Sequence, residues 1–197
     1  MKKPVISLSA IQRIDAEPLR KALDLHRKAT SEITAARQRE ADLQLEICSF
    51  LDSVDPGDER ALSLVANKKV QAEVLPRLIA KVERQVADEI VPALLREADT
   101  FRDSLRRFYA EAAETVAGQI AAIFRPFFAP QPNRAGELVD RALDIARQTD
   151  DCLRIYERLE QVTRVAVPDQ PRSNDPARHD AALVEAARHL LTLAEQG

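Results

Sequence analysis

The side chains best suited to metal binding or nucleophilic attack are few in this chain: His26, His179 and His189, with Cys48 and Cys152. A di-iron carboxylate centre in a helical bundle needs a Glu three residues before a His on each of two helices. The residues three before the histidines here are Leu23, Pro176 and Ala186, so that template is not met. Zinc-peptidase, phosphate-loop and dinucleotide-loop patterns do not occur, nor does a Cys-x-x-Cys pair. The two cysteines stand far apart inside helical patterns, as ordinary thiols of a reducing compartment do. The run DSVDPGDE, Asp52 to Glu59, gathers carboxylates but lacks the alternating oxygen ligands and terminal glutamate of a calcium loop. Asp55 and Asp58 are better read as helix caps.

Weaker combinations lead to structure rather than catalysis. Glu185 and His189 are one helical turn apart, the spacing of a surface contact. His26 and Glu40 occupy positions otherwise filled by Leu, Ile and Val. They read as a seam that is wet at those two layers; a buried polar pair that fixes register or senses pH is the sharper alternative. Lys68-Lys69 and Arg106-Arg107 are isolated basic pairs, and the net charge of −3 comes from interleaved acids and bases, so no nucleic-acid partner is expected. No catalytic, cofactor-binding or metal-binding residue is assigned, and the expectation is a protein that is not an enzyme and carries no cofactor.

The elements that would position these residues are helices. From Ala16 to Val54 there is no Gly, and the single Pro is Pro18, so one helix of 39 residues can run there, about 58 Å long. Leu19, His26, Ile33, Glu40, Ile47 and Val54 recur every seven residues, with Ala22, Ala29, Ala36, Leu43 and Phe50 three residues after the first five. A 3.5-residue period kept this long is the signature of a coiled coil. Helical pattern resumes from Asp58 to Ile123, where Pro76 and Pro92 predict kinks. Ile79, Val82, Val86, Ile90, Leu94, Ala98, Phe101, Leu105, Phe108 and Ala112 average about 3.67 residues apart there. Asp55-Pro56 and Asp175-Pro176 each read as an N-cap followed by proline at the first helical position.

Between the second and third long helices lies FRPFFAPQPNRAG, Phe124 to Gly136. A further helical row follows at Leu138, Ala142, Ile145, Thr149, Cys152, Ile155, Leu159 and Val162, and a last helix places Val184, Ala187, Leu191 and Ala194 on one stripe. No sustained period-two pattern predicts a sheet. The expected fold is therefore all-α: long antiparallel, coiled-coil-like helical hairpins in an elongated bundle. Its parts are an N-terminal arm (1–14), hairpins sharing a kinked central helix (15–166), a Pro-rich linker (167–176) and a C-terminal helix (177–197).

Hairpins of this kind bury only part of each apolar stripe, which predicts a homo-oligomer or an unknown protein partner. Six of the eight aromatic residues fall between 101 and 128. Phe124, Phe127, Phe128, Phe108 and Tyr109 are the interaction candidates, either closing the end of a hairpin or docking into a partner as aromatic anchors. The expected function is that of a structural or adaptor protein. The alternative is a bundle that binds an apolar small ligand against Phe101 to Phe128. The opening MKKPVISLSAIQRID is too short in its apolar run for a signal peptide, and no segment approaches the roughly 20 apolar residues of a membrane span, so a cytoplasmic location is expected.

Overall fold

The computed structural model describes residues 14–53, 55, 58–124, 135–168 and 176–195, with the backbone alone described at 123–124, 135–141, 148 and 176. The chain is all-α. Helix α1 is Glu17–Ser53, α2 is Glu59–Gln85, a π-helical segment occupies Val86–Ile90, α3 is Val91–Phe124, α4 is Ala135–Arg164 and α5 is Pro176–Glu195. Among the described residues there is no strand. The chain divides into two compact units, one of Arg20–Leu94 and one of Met1–Leu19 with Leu95–Gly197.

In the unit Arg20–Leu94, α1 and α2 run antiparallel. Arg37 of α1 donates to Glu83 of α2, whereas Lys68 donates to Glu46, so contacts rise along one helix as they fall along the other. The two rows read from α1 face inward: Ala29, Leu43 and Ile47 are buried, and Ala22, His26, Ile33, Ala36, Glu40 and Phe50 are half-buried. On α2 the inward positions are Ala61, Val65, Lys68, Ala72, Leu75, Ile79, Val82 and Val86. Their spacing alternates between four and three, a heptad rhythm from 61 to 86 that leads into the longer-period row read from Ile79 onward, of which Ile79, Val86, Ile90 and Leu94 are buried. Lys68 lies on this seam with its ammonium 4.7 Å from the Phe50 ring centre and 2.6 Å from a Glu46 oxygen, so its stem is covered while its charge is paired.

The start of α2 differs from the expected Asp55-Pro56 cap. Asp58 is the N-cap: its backbone is extended, and its carboxylate accepts from the N–H groups of Arg60 and Ala61 at 3.1 and 3.2 Å. Those are two of the four donors that a first helical turn leaves unsatisfied. Asp55 acts one turn earlier, its carbonyl accepting from the Asp58 N–H at 2.9 Å. Pro56 lies outside the described residues.

Neither internal proline ends a helix. Pro76 lies inside α2. Pro92 follows the π segment, in which the Val91 N–H donates to the Val86 carbonyl, five residues back. A proline ring crowds the carbonyl four residues before it, and a widened turn relieves that crowding. The same turn serves packing. Val82, Val86, Ile90 and Leu94 are spaced by fours, and each such step overshoots an α-helical face by about 40°. The extra residue per turn of the π segment brings Val86, Ile90 and Leu94 back to one buried side.

In the other unit, α3 buries Ala98, Phe101, Leu105, Tyr109, Ala112 and Val116. Tyr109, not the expected Phe108, takes the inward position; Phe108 is half-buried beside it. On α4 the expected row holds at its C-terminal end, where Ile155 and Val162 are buried, but Ala142 and Thr149 are exposed. After α4 the chain turns at Val165, whose N–H donates to the Val162 carbonyl, and buries Val165 and Val167 before α5. The buried stripe of α5 is His179, Leu183, Ala186, Ala187, Leu190 and Leu193. It lies one position before the expected Val184, Leu191 and Ala194, which are half-buried. Pro176 opens this helix, as its fixed φ and missing donor suit.

Candidate interaction surface

The residues singled out from the sequence do not converge. Phe124 ends α3 with its side chain outside the described residues, and Phe127 and Phe128 lie outside them altogether. Phe108 and Tyr109 make an edge-to-face pair, ring centres 5.5 Å apart at 77°. Tyr109 is fully buried, and among the described residues its hydroxyl has no hydrogen-bond partner. Burial pushes the phenol above its ordinary range, against the weaker opposing pull of the Arg158 guanidinium on α4. A hydroxyl buried without a partner costs stability.

His26 and Glu40 are fourteen residues apart on the continuous helix α1, about 21 Å along its axis. They cannot form a pair with each other within one chain, and both are half-buried rather than sealed from water. Two charged contacts cross between α1 and α2, Arg37 with Glu83 and Lys68 with Glu46. The lysine holds the Glu46 carboxyl below its ordinary pKa, by hydrogen bond first and charge second, with a smaller contribution from Arg39 at 3.8 Å.

Among the described residues no group of three metal-ligating side chains comes together. An open groove of about 410 Å³ lies in the unit that contains α3, with Phe101 and Leu19 on its apolar side and Asp15, Glu97, Thr100 and Ser104 as its polar lining. The Ser104 hydroxyl there donates to the Thr100 carbonyl, an ordinary intrahelical bond. Cys48 is exposed, Cys152 half-buried, and both are free thiols.

The feature that stands out is the outer side of α2. Leu62, Ala66, Val70, Val74 and Leu78 recur every four residues, and the four larger side chains are 44, 60, 45 and 51% exposed. Val70 is nine residues from both Ala61 and Ile79, about two and a half turns, so it lies directly opposite the seam that packs on α1, with Ala66 and Val74 about 40° and Leu62 and Leu78 about 80° to either side of it. A surface helix normally has one apolar face and one polar face; α2 has apolar residues on both. The row was present in the sequence at a spacing of four and went unread because the seam on the other side draws on the same stretch. On α1, Leu45 and Leu51 are also exposed, on either side of Cys48.

No family model matches the chain, and no curated protein or solved structure is significantly similar to it. Among the described residues, no helix is long and apolar enough to cross a membrane.

Proposed function

We propose that this protein is a non-enzymatic structural or adaptor protein of the cytoplasm, acting through self-association and contacts with other proteins along its coiled-coil-like helices. The observation that carries the reading is α2, apolar on two opposite faces of which α1 covers one. A row of half-exposed leucines and valines costs free energy in water, about 25 cal/mol for each Å² of apolar surface left uncovered. Contiguous patches of this kind mark protein contacts in soluble chains. Sedimentation velocity as a function of concentration tests the reading: self-association makes the sedimentation coefficient rise with concentration.

A second reading follows from the groove beside Phe101, which belongs to the aromatic stretch expected to wall a ligand site. A bundle that takes a small apolar molecule there would melt at higher temperature with added ligand while its mass stayed constant, whereas an assembly melts at higher temperature as protein concentration rises.

A further inference from the structure

We propose that the exposed face of α2 is covered by the same face of a second copy of the chain, the two helices crossing antiparallel about a two-fold axis at Val70. The inference rests on the self-association reading above and supplies its geometry.

The argument is one of charge placement. Glu59 and Lys81 are each eleven residues from Val70, close to three full turns, and Arg77 is seven residues away, close to two. All three therefore project on the face of Val70 itself. The acid stands at the N-terminal end of the apolar row and the two bases at its C-terminal end. None of the three makes an ion pair among the described residues, whereas Lys68 and Glu83 on the other faces of the helix do.

A second α2 laid parallel would set bases against bases. Laid antiparallel about Val70, residue i meets residue 140 − i: Glu59 faces Lys81 of the other copy, twice by symmetry, and Ser63 faces Arg77. The same operation sets Ala66 against Val74 beside the axis, where the small Ala66 leaves room, and Leu62 level with Leu78 on the flanks of the contact, about 80° round from Val70. A two-fold contact must be self-complementary in this way. A partner of different sequence would need its own acid and base at matching ends, and nothing in the chain calls for one.

The test is sedimentation of the full chain and four variants, with far-UV circular dichroism to confirm folding. Val70→Asp places a charge on the axis of both copies and is expected to leave a monomer at concentrations where the unaltered chain is dimeric. Glu59→Lys and Lys81→Glu each turn both symmetric pairs repulsive and are expected to weaken the dimer about tenfold. Combining them restores opposite charges, and the double variant is expected to return to within about threefold of the unaltered chain. These side chains point away from α1, and a far-UV spectrum matching that of the unaltered chain is required of each variant before its mass is read. If Val70→Asp associates as tightly as the unaltered chain, the contact lies elsewhere: the geometry is overturned and self-association stands. If single swaps weaken the dimer and the double swap does not restore it, the antiparallel register is overturned. If the unaltered chain is monomeric throughout, both this inference and the reading beneath it fail.

Discussion

Replacing Tyr109 by Phe should make this protein more stable. The ring fills the centre of the α3 packing and meets Phe108 edge to face, and both features survive the substitution. What is lost is a buried hydroxyl that has no hydrogen-bond partner among the described residues. Such a group gives up its water on folding and receives nothing in return, a penalty of about 1–3 kcal/mol. Taking the low end, because the cavity left by one oxygen offsets part of the gain, Tyr109→Phe should add about 1 kcal/mol, or roughly 2–4 °C in melting temperature for a chain of this size. Urea denaturation followed by circular dichroism reads the change as a higher midpoint at unchanged slope. The control is Tyr156→Phe on α4, where the phenol is exposed and the expected change is within about 0.5 kcal/mol of zero. The pH dependence sharpens the test. Burial raises the Tyr109 pKa above its ordinary value of 10.0, so the folded state holds the proton after the unfolded chain has released it. Stability is fully present below that value and is lost as pH rises through it. The advantage of Tyr109→Phe should therefore widen above pH 10.0. A variant less stable than the unaltered chain at neutral pH would mean that the hydroxyl has a partner and would refute the packing described for α3.

Three further outcomes follow from single residues. The Lys68 contact depresses the Glu46 pKa, so its contribution is present above the ordinary carboxyl value of 4.5 and lost as pH falls through the depressed one; in Lys68→Met, the Glu46 titration measured by NMR should move back up. Asp58→Ala removes the acceptor for the Arg60 and Ala61 amides and should cost about 1 kcal/mol in urea denaturation, while Asp58→Asn should cost little. Gly118 is exposed within α3 with nothing within 4 Å of where a Cβ would stand, so Gly118→Ala should raise stability by about 0.5–1 kcal/mol through the helical backbone alone.

The parts of the fold that could be read from the sequence are those where one face carries large apolar residues against a charged background. Helix α1 is the clear case: two rows, no glycine, and an observed span within a residue of the expected one at each end. Helix α2 was harder because its seam includes Ala61, Lys68 and Ala72, residues that carry little hydrophobic signal, while the stronger leucines and valines lie on the opposite face. The choice between Phe108 and Tyr109, and the one-residue offset of the α5 stripe, share a cause. Where adjacent residues are both apolar, as at Leu183-Val184 and Leu190-Leu191, periodicity alone cannot say which one points inward; the neighbouring helix decides. Asp55 and Asp58 both read as caps, since two carboxylates precede the helix, and only the backbone conformation gives the N-cap to Asp58. The π turn at Val86–Ile90 before Pro92 could not be read from the proline alone, because it depends on the spacing of buried residues on both sides. Of the candidate site, the aromatic segment at Phe127 and Phe128 was conspicuous by composition. The α2 row was visible only once the face packed on α1 was known.

Self-association through α2 is tested most directly by sedimentation velocity of the unaltered chain from about 1 µM to about 1 mM, the range over which small helical interfaces assemble. The structure predicts a weight-average mass that climbs from 22.0 kDa toward twice that value as concentration rises. A single species of 22.0 kDa across the whole range would contradict it.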